Sequence, residues 1–487
     1  ADPRKMAAMR RTLGTVVAII AVAQIVECIH LPTTSTAPVL THPSLKTSAP
    51  SAGTPLARKV SVDPKSSTLR LKGGSEGALV GYMFSLFKAI VGSGILSLSS
   101  GIAAFSNDRK MIIPAIGISV FFGYISAYCY SLIGLVCDMS GATTYQDGWA
   151  RTIGEGTAWI PGLACTLQTA VACTCYSIII GDLGRDLTKA FGVKGFFANR
   201  ENLLCTVSAL LLLPLCLLRS FAALAYTSML GVGGVLYVAF FMTLRWWQGA
   251  YTKGAPLFAQ LPSNALPSFG KTFQAPKLLI LMAMLNTAYH AHYDAPRFFW
   301  QLEPRSMARF NILVYTSFMA SAVVCTLIMV VGFLTFGGSA NALILNSYAS
   351  KDTLAVLGRL GCGASILFSY PLVFNGFRTG AFALLGHEPS QMSKDLFAVG
   401  TVLFTTAIAM VMNELGFIVA FAGALLGSSI IYIFPAMMHI AAVKKKGDDS
   451  EKGLAYYASY GITGLGTILA VIGALVSYLK TYTKVLD

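Results

Sequence analysis

Charged residues are scarce in this sequence of 487 residues. Asp, Glu, Lys and Arg make up 12% of the chain, whereas hydrophobic residues make up 55% and the mean hydropathy is +0.65. An ordinary soluble domain has about 25% charged residues, and it needs polar surface to cover its core. The shortage excludes a soluble multidomain enzyme, a disordered chain and a coiled coil, and it predicts a polytopic membrane protein.

Acidic residues are scarcer than basic ones, with 21 Asp and Glu against 36 Lys and Arg, and the formal net charge is +15. No basic cluster is longer than Lys444–Lys446, and aromatic residues do not alternate with basic ones as in a base-stacking groove. We therefore expect no nucleic-acid partner. Loop lysines and arginines facing an anionic leaflet account for the positive charge, and their distribution narrowly favours a cytoplasmic N-terminus.

Cysteine patterning gives neither a disulfide framework nor a metal centre. Most of the ten cysteines lie inside apolar runs, where cysteine acts as a small hydrophobic residue. The C-x-C pair of Cys173 and Cys175 has no partner pair that would complete a tetrahedral zinc site. We expect no metal site and no cofactor.

Residues 1–75 differ in composition from the rest of the chain. Arg10 and Arg11 precede an apolar stretch over 13–26, which is short for a membrane span and typical of a signal peptide. A Ser/Thr/Pro-rich stretch follows, in which Asp63 is the only acid between His30 and Glu76. Two interpretations stay open: a bipartite plastid-targeting or endomembrane leader, or a disordered cytosolic tail behind a short anchor. Residues 76–487 form the predicted transmembrane domain.

Eleven apolar runs in that domain are long enough to span a bilayer. They are continuous and lack the period-two alternation of barrel strands, so they predict helices. The predicted spans are 79–104, 111–137, 156–182, 202–218, 221–244, 277–300, 310–336, 354–385, 395–413, 415–441 and 454–479. Asp182 and Glu414 fall near span ends, where we expect solvated side chains.

Two of these spans are interrupted by residues that disfavour a membrane helix. The first contains Gly92–Gly94, and the sixth contains two histidines, an aspartate and a proline within 290–296. The two interruptions are five helices apart, which is the pattern of an inverted-repeat secondary transporter. Irregular backbone at this depth is tolerated only where it lines a polar cavity.

The interruptions predict a site for a zwitterion. Unwound turns free N–H groups for a carboxylate and carbonyls for an ammonium group, and half-helix ends add their dipoles. The predicted carboxylate contacts are the backbone N–H groups of Gly92, Ser93 and Gly94. The predicted ammonium contacts are the carbonyls of Tyr289, His290, Ala291 and His292. Close packing of small residues is the alternative for the glycines, and a metal site in an intramembrane enzyme is the alternative for His290, His292 and Asp294.

Several segments carry a family resemblance. The sequence over 87–98, FKAIVGSGILSL, resembles the first-helix motif of the amino acid/auxin permease superfamily, and its nearest branch is similar to the sodium-coupled neutral amino acid transporters. The segment 292–299, HYDAPRFF, resembles the sixth-helix motif of protist and fungal members. Residues 370–374 resemble the eighth-helix motif, and 416–435 the tenth. The resemblance covers about 76–480, and it implies eleven helices, a LeuT-type 5+5 inverted repeat, and amino acid transport coupled to sodium or protons.

The resemblance also implies roles for further residues. Tyr176 would hydrogen-bond the substrate carboxylate, and the hydroxyl of Ser369 would bind sodium, unless that serine bonds to its own helix. The chain departs from the sodium-coupled relatives at Lys88 and Asp294, where they have asparagine. Lys88 lies about one turn before Gly92, and Asp294 about one turn after the second break, so we expect the two side chains to lie at similar depth, where they could meet. The Lys88 ammonium would take the place of sodium, or it would snorkel to the interface.

The sequence therefore predicts an all-α integral membrane protein that transports L-amino acids by alternating access, with neutral amino acids as the expected substrates. Its partners would be a small amino acid and the lipid bilayer, and no covalent chemistry is expected. Two alternatives from other classes remain: a membrane nutrient sensor that binds amino acids without net flux, and an intramembrane metalloenzyme.

Overall fold

The computed structural model describes residues 75–218, 222–386, 389–412, 414–447 and 452–483. Within these ranges the regular elements are helices, joined at two places by isolated β-bridges, Ser106 with Phe273 and Ser268 with Gly337. The predicted tail and its leader or anchor over residues 1–74 lie outside the described residues.

Sixteen α-helices, α1 to α16, make up the described chain. In chain order they are Ser75–Ile90, Leu98–Phe105, Ile112–Ser140, Tyr145–Thr152, Trp159–Ala190, Arg200–Val207, Leu213–Cys216, Ala222–Trp247, Leu278–Ala288, Ala295–Gln301, Met307–Phe336, Thr353–Leu384, Gln391–Val411, Leu415–Ala422, Phe434–Lys446 and Leu454–Tyr482.

The described helices account for the eleven predicted spans. Seven are long and apolar enough to cross a membrane, and the pair α1 and α2, bent by 45°, forms an eighth span. Three further helical segments complete the set: α6 and α7 with the π-turn between them, α8, and the broken pair α9 and α10. The all-α, multi-span prediction is confirmed. The short helix α4, which caps the end of the bundle where α3 ends, was not predicted.

The first break follows from its glycines. Helix α1 ends at Ile90, the N–H of Gly92 turns back to bond the Ile90 carbonyl at 2.8 Å, and a 3₁₀ helix over Ser93–Ser97 leads into α2. Glycine suits the turn at Gly94, where a Cβ atom would lie 3.3 Å from the backbone of the sixth span. The chain thus unwinds within the span and resumes as a helix in a new direction.

The second break follows from a proline. Helix α9 ends at Ala288, a 3₁₀ turn over His292–Asp294 follows, and α10 begins at Ala295 with Pro296 in its first turn. Proline has no N–H to donate to a preceding turn, so it is favoured in the first turn of a helix and disrupts the turn before it. The irregular segment therefore lies between Ala288 and Ala295, as the sequence predicted.

The tenth span lies at the centre of the bundle. The most apolar stretch of 18 residues in this span is entirely buried. Between α14 and α15 the span widens into two π-helical turns, Gly423–Gly427 and Ser429–Ile433. A side chain on Gly423 would overlap the Ala283 carbonyl and the Thr287 hydroxyl of α9. This span is therefore in direct contact with the helix that leads into the second break.

Helix α12 packs along α5 and α8 over much of its length. The crossing with α8 is close because glycines face each other, and a Cβ atom placed on Gly234 would lie 2.8 Å from the Gly361 carbonyl. Helix α11 packs in a similar way along α3. These pairs form the frame that holds the two breaks.

Candidate functional site

The two breaks lie against each other. A Cβ atom placed on Gly94 would lie 3.3 Å from the Ala288 nitrogen and Cα and from the Thr287 carbonyl carbon. The start of the 3₁₀ helix in the first span is therefore in contact with the end of α9. This contact brings together the two irregular segments that the sequence analysis had linked only by their spacing.

Tyr176 is the predicted site residue that α5 contributes to this region. A Cβ atom placed on Gly92 would lie 4.0 Å from the Tyr176 hydroxyl, and the Tyr176 ring lies 6.4 Å from that of Tyr370 on α12. The phenol thus faces the first break from the side. Contact with a ligand at the glycines, the role that the family resemblance gives Tyr176, stays a prediction.

Two side chains of the second break point away from the first break and fasten the segment to α3. The Tyr289 hydroxyl donates to the Ser119 carbonyl at 3.1 Å, and His292 Nε2 lies 2.9 Å from the Ser126 carbonyl. Both residues are fully buried. The Tyr289 hydroxyl and His292 Nε2 are thus engaged with α3, whereas His292 Nδ1 is buried without a hydrogen-bond partner among the described residues. The carbonyls of both residues stay the predicted ligand contacts.

The four predicted carbonyls are not equivalent. The Ala291 carbonyl accepts the Asp294 N–H at 3.0 Å, and the His292 carbonyl accepts the N–H of Ala295. No backbone N–H in the described ranges bonds to the carbonyls of Tyr289 and His290. These two carbonyls are therefore the better candidates for contact with an ammonium group.

His290 lies in the middle of the second break. Its ring is 5.4 Å from that of Tyr293, and its Nε2 atom is buried without a hydrogen-bond partner among the described residues. Buried polar atoms in native proteins are normally hydrogen-bonded. The imidazole is therefore a candidate ligand contact in addition to the carbonyl of the same residue.

Lys88 and Asp294 have different neighbours, and the structure does not pair them. The Lys88 side chain lies between α8 and α12, where a Cβ atom placed on Gly231 would be 3.6 Å from Lys88 Cε and 2.7 Å from the Ser365 hydroxyl. Asp294 instead lies 3.7 Å from Arg297, one turn further along. Within the described residues the two charges form no ion pair with each other, and Asp294 has Arg297 as its partner instead.

Ser369 lies one turn beyond Ser365 on α12 and is partly buried. Its hydroxyl makes no hydrogen bond with a described residue. The alternative, a bond from this hydroxyl to a carbonyl of its own helix, is therefore not observed. The helix face that carries Ser365 and Ser369 thus presents two hydroxyls, and Lys88 lies beside the first of them.

Asn286 is a site-supporting residue that the sequence analysis missed. It is fully buried one turn before the second break, its Nδ2 donates to Ser428 Oγ at 2.8 Å and to the Gly423 carbonyl at 3.3 Å, and its Oδ1 accepts from Tyr432 at 2.9 Å. All three partners belong to the tenth span. A polar residue inside an apolar run was the available signal, because such residues need buried partners.

Two buried ion pairs lie on α5, away from the breaks. Asp182 pairs with Arg200 at 2.7 Å, and Asp186 lies 3.7 Å from Arg359, which is fully buried. The expectation of a solvated Asp182 was therefore wrong. Arg359 also donates to the carbonyls of Leu345 and Tyr348, at 2.9 and 2.7 Å, and so holds the loop that precedes α12.

A third ion pair closes the same end of the bundle. Asp352, the N-cap of α12, accepts from Arg245 at 2.5 Å and from Tyr251 at 2.7 Å. Burial by itself would raise the pKa of the Asp352 carboxyl, but the hydrogen bonds from Arg245 and Tyr251 hold that pKa below its ordinary value. The carboxyl therefore stays charged at neutral pH.

Comparisons with known proteins agree with this geometry. The family model described as "Transmembrane amino acid transporter protein" matches residues 78–482. The "Putative sodium-coupled neutral amino acid transporter 11" of Mus musculus is 23% identical over 402 residues, which cover 80% of this chain and 83% of that protein. The "Vacuolar amino acid transporter 5" of Schizosaccharomyces pombe is 23% identical over 410 residues, which cover 80% of this chain and 92% of that protein.

Among solved structures, "Inward facing conformation of Mhp1" is similar to this chain in fold, with a TM-score of 0.54 at 12% sequence identity. The match covers 83% of this chain and 89% of that one. The likeness, together with two broken spans five helices apart, confirms the LeuT-type inverted repeat. Since the family model matches most of the sequence, this chain belongs to the transmembrane amino acid transporter family, and it is a multi-pass membrane transporter rather than an enzyme.

Proposed function

We propose that the chain moves neutral L-amino acids by alternating access, with the substrate held between the two breaks. The observation that carries this proposal is the contact of Gly94 with Ala288, because it joins the open backbone of both broken spans in one place. Tyr176 borders the same place. Neutral substrates fit because the described residues at the two breaks offer groups for a carboxylate and an ammonium, while the charged side chains beside the second break, Asp294 and Arg297, pair with each other.

The two ends of the substrate backbone would bind different helix ends. The 3₁₀ helix that starts at Ser93 has N–H groups without helical partners in its first turn, and these suit the carboxylate. Helix α9 ends at Ala288, so the negative end of its dipole and the Tyr289 and His290 carbonyls suit the ammonium. The Tyr176 hydroxyl would add a hydrogen bond to the carboxylate.

Coupling is proposed to be independent of sodium, with Lys88 as a tethered cation. The Lys88 side chain lies beside the hydroxyl-bearing face of α12, on which the family resemblance places a sodium ligand at Ser369. A charge at membrane depth is costly and is usually functional. An ammonium group there repels sodium, and its protonation could couple transport to a proton gradient instead.

Uptake into proteoliposomes tests coupling. With sodium replaced by choline, wild type should keep its uptake of labelled neutral amino acids, whereas Lys88→Asn should lose uptake or become dependent on sodium. Arg151→Gln, which removes an exposed positive charge outside the site, is the matched control and should behave as wild type. A wild type that stops transporting in choline contradicts the role of Lys88. Binding of amino acids without any uptake would favour the sensor alternative.

The targeting role of residues 1–75 stays a proposal of its own. A relative named as a vacuolar transporter supports an endomembrane location, and the signal-like composition of the tail supports a cleaved leader. N-terminal sequencing of protein purified from its natural source should give a start well beyond Ala23. An intact start at Met6 or Met9 would refute the leader.

A further inference from the structure

A polar cavity lies away from the two breaks, where α5 and α6 meet the loop between α11 and α12. Its volume is about 480 Å³, within the range of about 300–1,000 Å³ typical of small-molecule sites. Its polar lining residues are Asp182, Arg185, Asn199, Arg200, Glu201 and Asn346. The cavity therefore offers both signs of charge within the volume of one small ligand.

Two atoms on its wall are buried without a hydrogen bond among the described residues, Arg185 Nε and Asn346 Oδ1. Arg185 Nε lies 3.5 Å from Asp186 without making a hydrogen bond to it, and the Asn346 amide nitrogen already donates to Asp182 at 3.3 Å. Both atoms are closed to solvent, so a ligand in the cavity cannot reach them. The Arg185 side chain as a whole is 37% exposed, and its terminal guanidinium nitrogens are the donors that a ligand can reach.

The other arginine of the cavity is already occupied. Arg200 donates to Asp182 at 2.7 Å, to the Ala409 carbonyl at 2.9 Å and to the Ile178 carbonyl at 3.4 Å. Arg200 therefore stabilises the cavity lining and is not available to a ligand. Glu201 is exposed, and within the described ranges it has no ion-pair partner. Arg185 and Glu201 are thus the two charges that a ligand can reach.

We propose that this cavity binds a free α-amino acid as a zwitterion, at a second site outside the transport path. The ligand carboxylate lies on the terminal guanidinium nitrogens of Arg185, and its ammonium lies on the Glu201 carboxylate. A bound amino acid bridges α5 and α6 beside the loop that Arg359 anchors. Its binding therefore favours conformations in which these two helices stay together, and it makes transport depend on amino acid concentration on that side of the membrane.

Calorimetric titration of the full chain in nanodiscs with L-alanine tests this site. Wild type should bind at two sites, and Gly94→Val, which removes the proposed transport site, should keep one. In the Gly94→Val background, Arg185→Gln and Glu201→Gln should each weaken the remaining binding about tenfold or more, since each removes a charge-assisted hydrogen bond. Lys194→Gln removes an exposed charge at the same end of the bundle and should leave binding unchanged.

Ligand analogues test the zwitterion. N-acetyl-L-alanine lacks the ammonium, and L-alaninamide lacks the carboxylate. The affinity of Gly94→Val for each analogue should be lower than its affinity for L-alanine by about tenfold or more. Folding of every variant is checked by size-exclusion chromatography. The proposal is overturned if folded Gly94→Val binds no L-alanine, if Arg185→Gln and Glu201→Gln titrate as their parent does, or if N-acetyl-L-alanine binds equally well. Uptake by wild type, measured in parallel, tests the transport site separately.

Discussion

Polar groups have opposite roles at the helix breaks and at the end of the bundle around Arg359. At the second break, the Tyr289 and His290 carbonyls bond to no described backbone N–H, and His290 Nε2 has no partner among the described residues. Around Arg359, an arginine at membrane depth bonds three loop carbonyls and faces Asp186. The first region keeps hydrogen-bonding capacity open for a ligand, whereas the second uses it to hold helices together.

The comparison implies that transport and stability depend on different residues. Open backbone groups contribute little to folding, so a change at the breaks should affect transport more than stability. Buried ion pairs behave differently, because removal of one partner leaves the other charge buried and unpaired. Substitutions in each region therefore separate the two properties.

Gly94→Val should have the largest effect on transport. Its side chain would overlap Ala288 and Thr287, and a β-branched residue also resists the unwound geometry. We expect uptake to be abolished, with membrane insertion and thermal stability close to wild type. Gly464→Val lies on α16, where open space surrounds the glycine, and it is the control. Normal uptake by Gly94→Val would remove the break from the site.

Arg359→Met should have the largest effect on stability. It leaves the Asp186 carboxyl without its buried partner and three loop carbonyls without their donor, so we expect a loss of roughly 3–5 kcal/mol. A fluorescence-based melting curve measures this, while uptake per folded molecule should stay within about twofold of wild type. The double variant Arg359→Met/Asp186→Leu should recover much of the loss. Equal melting curves for all three proteins would show that this end of the bundle carries no such role.

Asn286→Ala tests a residue that belongs to both regions. It loses its bonds to Ser428, Gly423 and Tyr432, so stability should fall by about 1–3 kcal/mol. The KM for uptake should also rise, because α9 is no longer fixed to the tenth span. Thr287→Val loses a single bond to the Val419 carbonyl and should have a smaller effect on both quantities. A fall in stability without a change in KM would assign Asn286 to the framework alone.

Asp352→Asn should have the smallest effect, visible as a change in pH dependence. The pKa of the folded carboxyl is lowered by Arg245 and Tyr251, so its stabilisation is fully present above the ordinary carboxyl range. It is lost as the pH falls toward the lowered pKa. Melting temperatures from pH 7 down to pH 3 should therefore drop more steeply for wild type than for Asp352→Asn. Parallel curves would show that the ion pair contributes nothing to acid sensitivity.

The spans and both breaks were predictable from the sequence because their signals are local. Continuous apolar runs gave the helices, while Gly92, Gly94 and Pro296 marked the interruptions. Where the breaks meet was inferred from spacing, and the structure confirms the contact through Gly94 and Ala288. The short helix α4 was missed because it is polar and carries no span signal.

Pairing between distant residues was not predictable. Asp186 and Arg359 lie on spans whose relative rotation is set by packing, and nothing in either run identifies the other. The same reason applies to Lys88, which lies beside Gly231 and Ser365, whereas Asp294 has Arg297 as its partner. The π-helical turns after Ala422 arise from the close contact of Gly423 with α9, and no residue pattern within the span signals them.

The buried position of Arg359 also has a consequence for biogenesis. Arg359 lies about two turns inside the span that begins at Thr353, and a charge inside an isolated span is disfavoured in the bilayer, by about 2.5–3.5 kcal/mol where it lies at the centre. Asp186 leaves the ribosome earlier, in α5, and reaches the membrane before α12 is complete. Helix α12 should therefore insert poorly when expressed alone and efficiently when α5 is already present, so that integration of one half of the protein guides that of the other.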